Sequence, residues 1–94
     1  MENSILTINK TEERLNNLFI KRFNINMNKI GEEYKSKKLL GREIGMAPRD
    51  LLYLFFDVEN EFGIVLPQNR IANGEFDTYN DICKIVHDQL ENHT

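Results

Sequence analysis

Cys83 and His87 stand four residues apart in the segment DICKIVH, the spacing that places two side chains side by side on a helix. A thiolate next to an imidazole is a nucleophile with its base, and the same two groups can ligate a metal. Either chemistry needs more than the pair. Catalysis requires an orienting group and an oxyanion site, and a structural zinc site needs about four ligands, which Asp88 and the near-terminal His93 are poorly placed to complete. A Cys83-dependent enzyme is one reading, and a small residue at the edge of a core is the other. Lys35, Lys37, Lys38 and Arg42 form the one basic cluster. Glu32 and Glu33 weaken its field and no aromatic platform interleaves it, so it reads as solvated surface and not as a nucleic-acid site. The chain carries no Gly-rich phosphate loop, paired catalytic carboxylate motif or nucleophile elbow.

The elements that must position these residues fit in one domain, because 94 residues leave no room for a second core. With 40% hydrophobic and 29% charged residues the composition is that of a globular chain. Twelve Lys and Arg against fifteen Asp and Glu give a net charge of -3, which argues against a general grip on nucleic acid or anionic lipid and favours partners with basic patches. A single Cys excludes an internal disulfide and a multi-cysteine zinc site, and suits a reducing compartment, so cytoplasm is the expected location. The longest apolar run, LLYLFF from Leu51 to Phe56, falls far short of the roughly 20 residues that span a bilayer. The opening MENSILTINK lacks a basic leader and a cleavage site, which predicts a chain used as written.

Asn9 to Phe23 reads as a first helix: Asn9 as its cap, Glu12 and Glu13 near its positive end, and Leu15, Leu18 and Phe19 on one face. Residues 1–8 then form an N-terminal extension. Asn24 to Met46 shows no sustained period and reads as a long structured loop, with room for a turn at Ile30 to Tyr34. The strongest helix runs from Pro48 to Phe62, with proline at its first position, Asp50 behind it, and Leu51, Leu54, Phe55, Val58 and Phe62 as its stripe. Gly63 ends it, and Ile64 is placed to fold back onto it. Pro67 to Ala72 is a short third helix closed by Asn73 and Gly74. The last helix begins at Asp77 or Thr78, with Thr78 and Asp81 spaced for capping and Ile82, Ile85, Val86 and Leu90 facing the core; Glu91 to Thr94 is expected to fray. With no alternating segment and no repeat, the expectation is an all-α bundle of three main helices and a short one, with a long loop between the first two, too small to enclose a site.

In order and at nearly the same spacing, the pieces TEERL, EIGM, VENEFGIVLP and DTYNDI resemble acyl carrier proteins, over most of the chain from Thr11 to Leu90. In that family the first helix often opens IEERV, the loop ends DLG, the second helix finishes EEEFG before an isoleucine and a proline, and the last begins after a threonine. Glu43, Ile44, Gly45, Glu61, Phe62, Gly63, Ile64, Pro67 and Thr78 match or substitute conservatively. About two extra residues between Phe62 and Tyr79 are absorbed by a surface connection near Asn73 and Gly74. The resemblance implies an acyl-carrier-like four-helix bundle whose second helix docks onto enzymes through apolar contacts framed by acid.

The departure falls where the family keeps its chemistry. Acyl carrier proteins attach phosphopantetheine to the serine of an Asp-Ser-Leu motif at the start of the second helix. Here Ala47, Pro48 and Arg49 occupy that motif, with Pro48 at the attachment position. A phosphodiester needs a side-chain oxygen, which proline lacks, and between Ser36 and Tyr53 there is no Ser, Thr or Tyr. Proline at a first helical turn is locally favourable, so the fold survives the change. The pattern resembles the acyl carrier-related proteins of bacterial peptide maturation systems, which lack the attachment serine. That implies a non-catalytic docking subunit with no cofactor and no metal, a monomer working beside biosynthetic or peptide-modifying enzymes and not on nucleic acid or membrane. A carrier of acyl or aminoacyl groups modified at an unconventional hydroxyl is the alternative.

Leu52 and Phe56, four apart, lie beside the core stripe of this helix and not within it. Either they pack under the long loop, or they form a partner-binding patch with Arg49, Asp50, Tyr53 and Asp57. In the second case the apolar residues supply affinity and the charges orientation. Asp50, Asp57, Glu59 and Glu61 would supply the acidic frame, while Arg49 slightly opposes the helix dipole and is either kept for a partner carboxylate or tolerated.

Overall fold

Local signals set most of the helix ends. In the computed structural model residues 4–92 are described, with side chains from residue 9 onward. The elements are α1 (Ser4–Phe23), α2 (Met27–Ile30), a 3-10 turn (Glu32–Ser36), α3 (Pro48–Phe62), α4 (Gln68–Ala72) and α5 (Tyr79–Glu91). Among the described residues there is no strand, only an isolated antiparallel bridge between Lys38 and Thr78. Among the described residues no helix is long and apolar enough to cross a membrane.

The first helix begins earlier than Asn9. No glycine or proline interrupts Ser4 to Thr11, so extending the helix adds one hydrogen bond per residue where a new start at Asn9 would need a fresh nucleus. The expected extension is therefore helical from Ser4, and residues 1–3 lie outside the described residues. Asn24 closes α1 in the left-handed region, φ 59°, with its N–H returning to Ile20 O at 3.0 Å.

The long loop holds a fifth helix that periodicity does not show. The single turn of α2 is specified by side-chain to backbone bonds. Asn26 Oδ1 accepts from the Asn28 N–H at 3.1 Å and from Asn16 Nδ2 at 3.0 Å, while the buried Asn16 accepts from the Met27 N–H at 2.7 Å. Met27 is thereby driven fully into the core. The rest of the loop is stitched down by Leu39 N–H to Asp77 O, 2.8 Å, and Met46 N–H to Leu39 O, 2.9 Å. Leu39 and Met46 are buried as a result.

The bounds of α3 are those the sequence indicates. Pro48 opens it, and Gly63 ends it at φ 64°, ψ 40°, while the Ile64 N–H reaches back to Glu59 O at 3.2 Å and Ile64 is buried. Thr78 caps α5, its hydroxyl accepting from the Asp81 N–H at 3.0 Å. Glu91 is the last helical residue of α5, and the Asn92 N–H bonds Asp88 O at 3.0 Å. Residues 93 and 94 lie outside the described residues.

The core joins Leu15 and Phe19 of α1, Leu54 and Val58 of α3, and Tyr79, Ile82, Ile85 and Val86 of α5. Tyr79 sits at its centre. It is fully buried, edge-on to Phe19 at 5.2 Å between ring centroids, and its hydroxyl donates to Glu12 O at 2.8 Å. Lys35, expected at the surface, is buried instead. Its ammonium donates to Glu32 at 2.8 Å and lies 5.9 Å from the Tyr79 ring centroid, so the stem packs while the charge keeps a partner. Lys37 approaches Glu43 at 3.9 Å and Lys38 pairs with Asp77 at 3.2 Å, which breaks up the basic cluster of the sequence.

Candidate functional site

Successive residues of a helix turn by about 100°. On α3 this puts Leu51, Leu54, Val58 and Phe62 on one side, and Arg49, Leu52, Tyr53, Phe56 and Asn60 on the opposite one. The structure buries the first set wholly or in part and leaves the second exposed. Leu52, Tyr53 and Phe56 keep 55%, 54% and 57% of their surface open, so they do not pack under the loop. The Phe56 ring meets Phe55 edge-on at 5.6 Å, and Phe55 in turn meets Phe76 at 5.9 Å. Three large apolar side chains thus form one ridge on the outside of the molecule, a contiguous feature unlike the scattered apolar residues normal on a surface.

The acids of α3 are not part of that ridge. Asp50 turns back to accept from the Ala47 N–H at 3.0 Å, half of a capping box whose other half is missing because the Ala47 methyl accepts nothing. Asp57 receives Arg22 of α1 through two bonds, 2.5 and 2.7 Å, which also raise the Arg22 guanidinium. Glu59 accepts from the Leu66 N–H at 2.8 Å, and Glu61 pairs with Arg14 at 3.2 Å while Arg14 lies 4.5 Å over the Phe62 ring. Of the six residues the sequence singles out, Arg49, Leu52, Tyr53 and Phe56 therefore share the open face, whereas Asp50 and Asp57 are engaged within the fold. Of the expected acidic frame, Asp57 and Glu61 are paired with Arg22 and Arg14, while Asp50 and Glu59 each hold a backbone N–H and keep their charge.

The first turn of α3 carries Ala47 as its cap, extended at φ -86° and ψ 158°, followed by Pro48 and Arg49, with no hydroxyl on any of them. Ser36 lies in the 3-10 turn and donates to Glu33 O at 3.3 Å. Tyr53 is exposed but sits more than a turn further along α3. The missing half of the cap has a measurable consequence. Ala47→Ser is expected to accept from the N–H of Arg49 or Asp50 and to raise stability by about 1 kcal/mol. In a thermal melt that is an increase of roughly 4–8 °C, and an unchanged melt would show the cap to be filled by other means.

Cys83 and His87 do lie together, on a shallow cleft of about 330 Å³ lined also by Glu12, Asn80, Lys84 and Asp88. The cysteine is buried, and burial, helped by the negative charge of Glu12, pushes its thiol up to about 12. It is a thiol at neutral pH and not an activated nucleophile. The His87 Nδ1 is buried without a hydrogen-bond partner, so no residue orients the imidazole through that atom. Among the described residues no group of three or more His, Cys, Asp or Glu could hold a metal ion.

The thiol also sets a pH dependence. The folded chain holds this proton more tightly than the unfolded chain, so the stabilisation is complete below the ordinary thiol value of 9.0 and is lost as pH rises from there toward about 12. Tyr79, raised chiefly by burial, adds to the loss above its ordinary 10.0. Unfolding free energy is expected to fall above pH 9 by at most about 1.4 kcal/mol per pH unit for each proton, and Cys83→Ala should delay the onset. Iodoacetamide should modify Cys83 slowly in the folded chain at neutral pH and quickly in denaturant; rapid labelling of the folded chain would revive the cysteine-enzyme reading.

Sequence reasoning missed the Asn16, Asn26 and Met27 bracket and the internal use of the α3 acids. The cluster of asparagines from Asn24 to Asn28 was the available sign of the first; nothing local marked the second. Compared with known proteins, the chain matches no family model, no curated protein and no solved structure.

Proposed function

We propose that this chain is an acyl-carrier-like domain without an attached prosthetic group, and that it works as a non-catalytic docking or adaptor subunit, in the cytoplasm, beside the enzymes of a bacterial peptide maturation pathway. The order of its motifs supports the first part, and Pro48 at the opening of α3, where a carrier needs its hydroxyl, supports the second. The observation that carries the reading is the outward ridge of Leu52, Tyr53 and Phe56, apolar surface that the fold itself does not use. A surface of that kind contributes to affinity only when a partner covers it.

Treatment with coenzyme A and a phosphopantetheinyl transferase separates this reading from a working carrier. The intact mass is expected to stay unchanged. A gain equal to the arm, mapped to any residue, would replace the adaptor with a carrier; Tyr53 is the exposed hydroxyl on the ridge and the first place to look. The intact chain used as bait should recover a peptide-modifying enzyme, whereas recovery of fatty-acid synthesis enzymes would favour the carrier.

A further inference from the structure

We propose that the ridge of α3 seats in an apolar groove of its partner protein whose rim carries a carboxylate opposite Arg49, so that the partner surface recognised is acidic and not basic. This rests on the docking reading above. Each of the four acids of α3 already has a partner within the fold: Asp50 the Ala47 N–H at 3.0 Å, Asp57 Arg22 at 2.5 Å, Glu59 the Leu66 N–H at 2.8 Å and Glu61 Arg14 at 3.2 Å. Arg49, exposed at the second position of the helix, has no carboxylate partner among the described residues. A chain of net charge -3 thus shows on this face an apolar ridge with a positive end.

Charge and shape together choose the occupant. A basic patch would meet Arg49 first, while Asp57 and Glu61 are already paired with Arg22 and Arg14, and Asp50 and Glu59 are turned to backbone N–H groups of the chain. A second copy of this chain would bring the same convex ridge; two ridges meet along a line and cover far less than the roughly 20–30 residues a side of a stable interface. A groove wraps three side chains at i, i+1 and i+4 on a convex helix, and a carboxylate at its rim completes the guanidinium with charge-assisted hydrogen bonds.

The test places the photo-crosslinking residue p-benzoylphenylalanine at position 56 of the full chain, maps the crosslinked segment of the partner, and measures the purified partner against parent and Arg49→Glu chains. The expected result is a crosslink in an apolar groove edged by Asp or Glu, with binding to Arg49→Glu weaker by at least about tenfold and restored when that acid is changed to Lys. Folding should not suffer, since an acid in the first turn is favourable to the helix dipole, and a thermal melt of Arg49→Glu no lower than the parent's separates recognition from stability. A groove edged by Lys or Arg, a crosslink to a second copy, or unchanged binding of Arg49→Glu would overturn the inference while leaving a docking function intact. Absence of any crosslinked partner would overturn both.

Discussion

Replacing Tyr79 by alanine is expected to lower the unfolding free energy by about 3–5 kcal/mol, a large share of the roughly 5–15 kcal/mol that holds a domain folded. Three contacts fail together. The ring leaves a void beside Phe19, whose centroid is 5.2 Å away; Glu12 O loses a donor at 2.8 Å; and the buried Lys35 ammonium loses the ring 5.9 Å from it. Because Tyr79 ties α5 to α1 and to the 3-10 turn, little can collapse into the space. Tyr79→Phe keeps the ring and removes only the hydrogen bond, for about 1 kcal/mol. Urea denaturation of the two variants measures both, and a Tyr79→Ala curve that overlays the Tyr79→Phe curve would mean that the void closes without cost.

Phe56→Ala is expected to have the opposite profile. With 57% of its surface already open, Phe56 contributes little to folding, and the variant should stay within about 1 kcal/mol of the parent. Its loss should nonetheless weaken binding to the captured partner by about 30-fold or more, the roughly 2 kcal/mol of an interface hot spot. Leu54, two residues away and fully buried, is the internal control: Leu54→Ala should cost about 2–5 kcal/mol of stability. If Phe56→Ala melts as low as Leu54→Ala, the ridge belongs to the core. If it melts normally and binds normally, α3 docks nothing through this face.

The two experiments also divide what was legible in the chain from what was not. The bounds of α3, its left-handed glycine end and the Thr78 cap of α5 are fixed by residues within about five positions of one another, and each was visible as a pattern. The two sides of α3 were visible for the same reason, since a period of 3.6 residues separates Leu54 and Val58 from Leu52 and Phe56 before any partner element is placed. By contrast, α2 depends on Asn16 reaching Asn26 and Met27 across the end of α1, and no single segment contains that bracket. The start of α1 was misplaced because Asn9, a good cap in isolation, lies within a stretch that continues the helix more easily than it restarts one.

Alone, the amino-acid sequence determined an all-helical chain, the two sides of α3 and the lack of a hydroxyl at its first turn; that Leu52, Tyr53 and Phe56 stay open as a ridge was decided by the fold. Tertiary structure decided the charge of that ridge. Asp57 is claimed by Arg22 across 35 residues of chain and Glu61 by Arg14 across 47, and Tyr79 meets Glu12 across 67. A carboxylate counts as free or committed only once folding has placed a cation or an N–H beside it. Coulombic and hydrogen-bond energies depend on distance in space and not on separation along the chain.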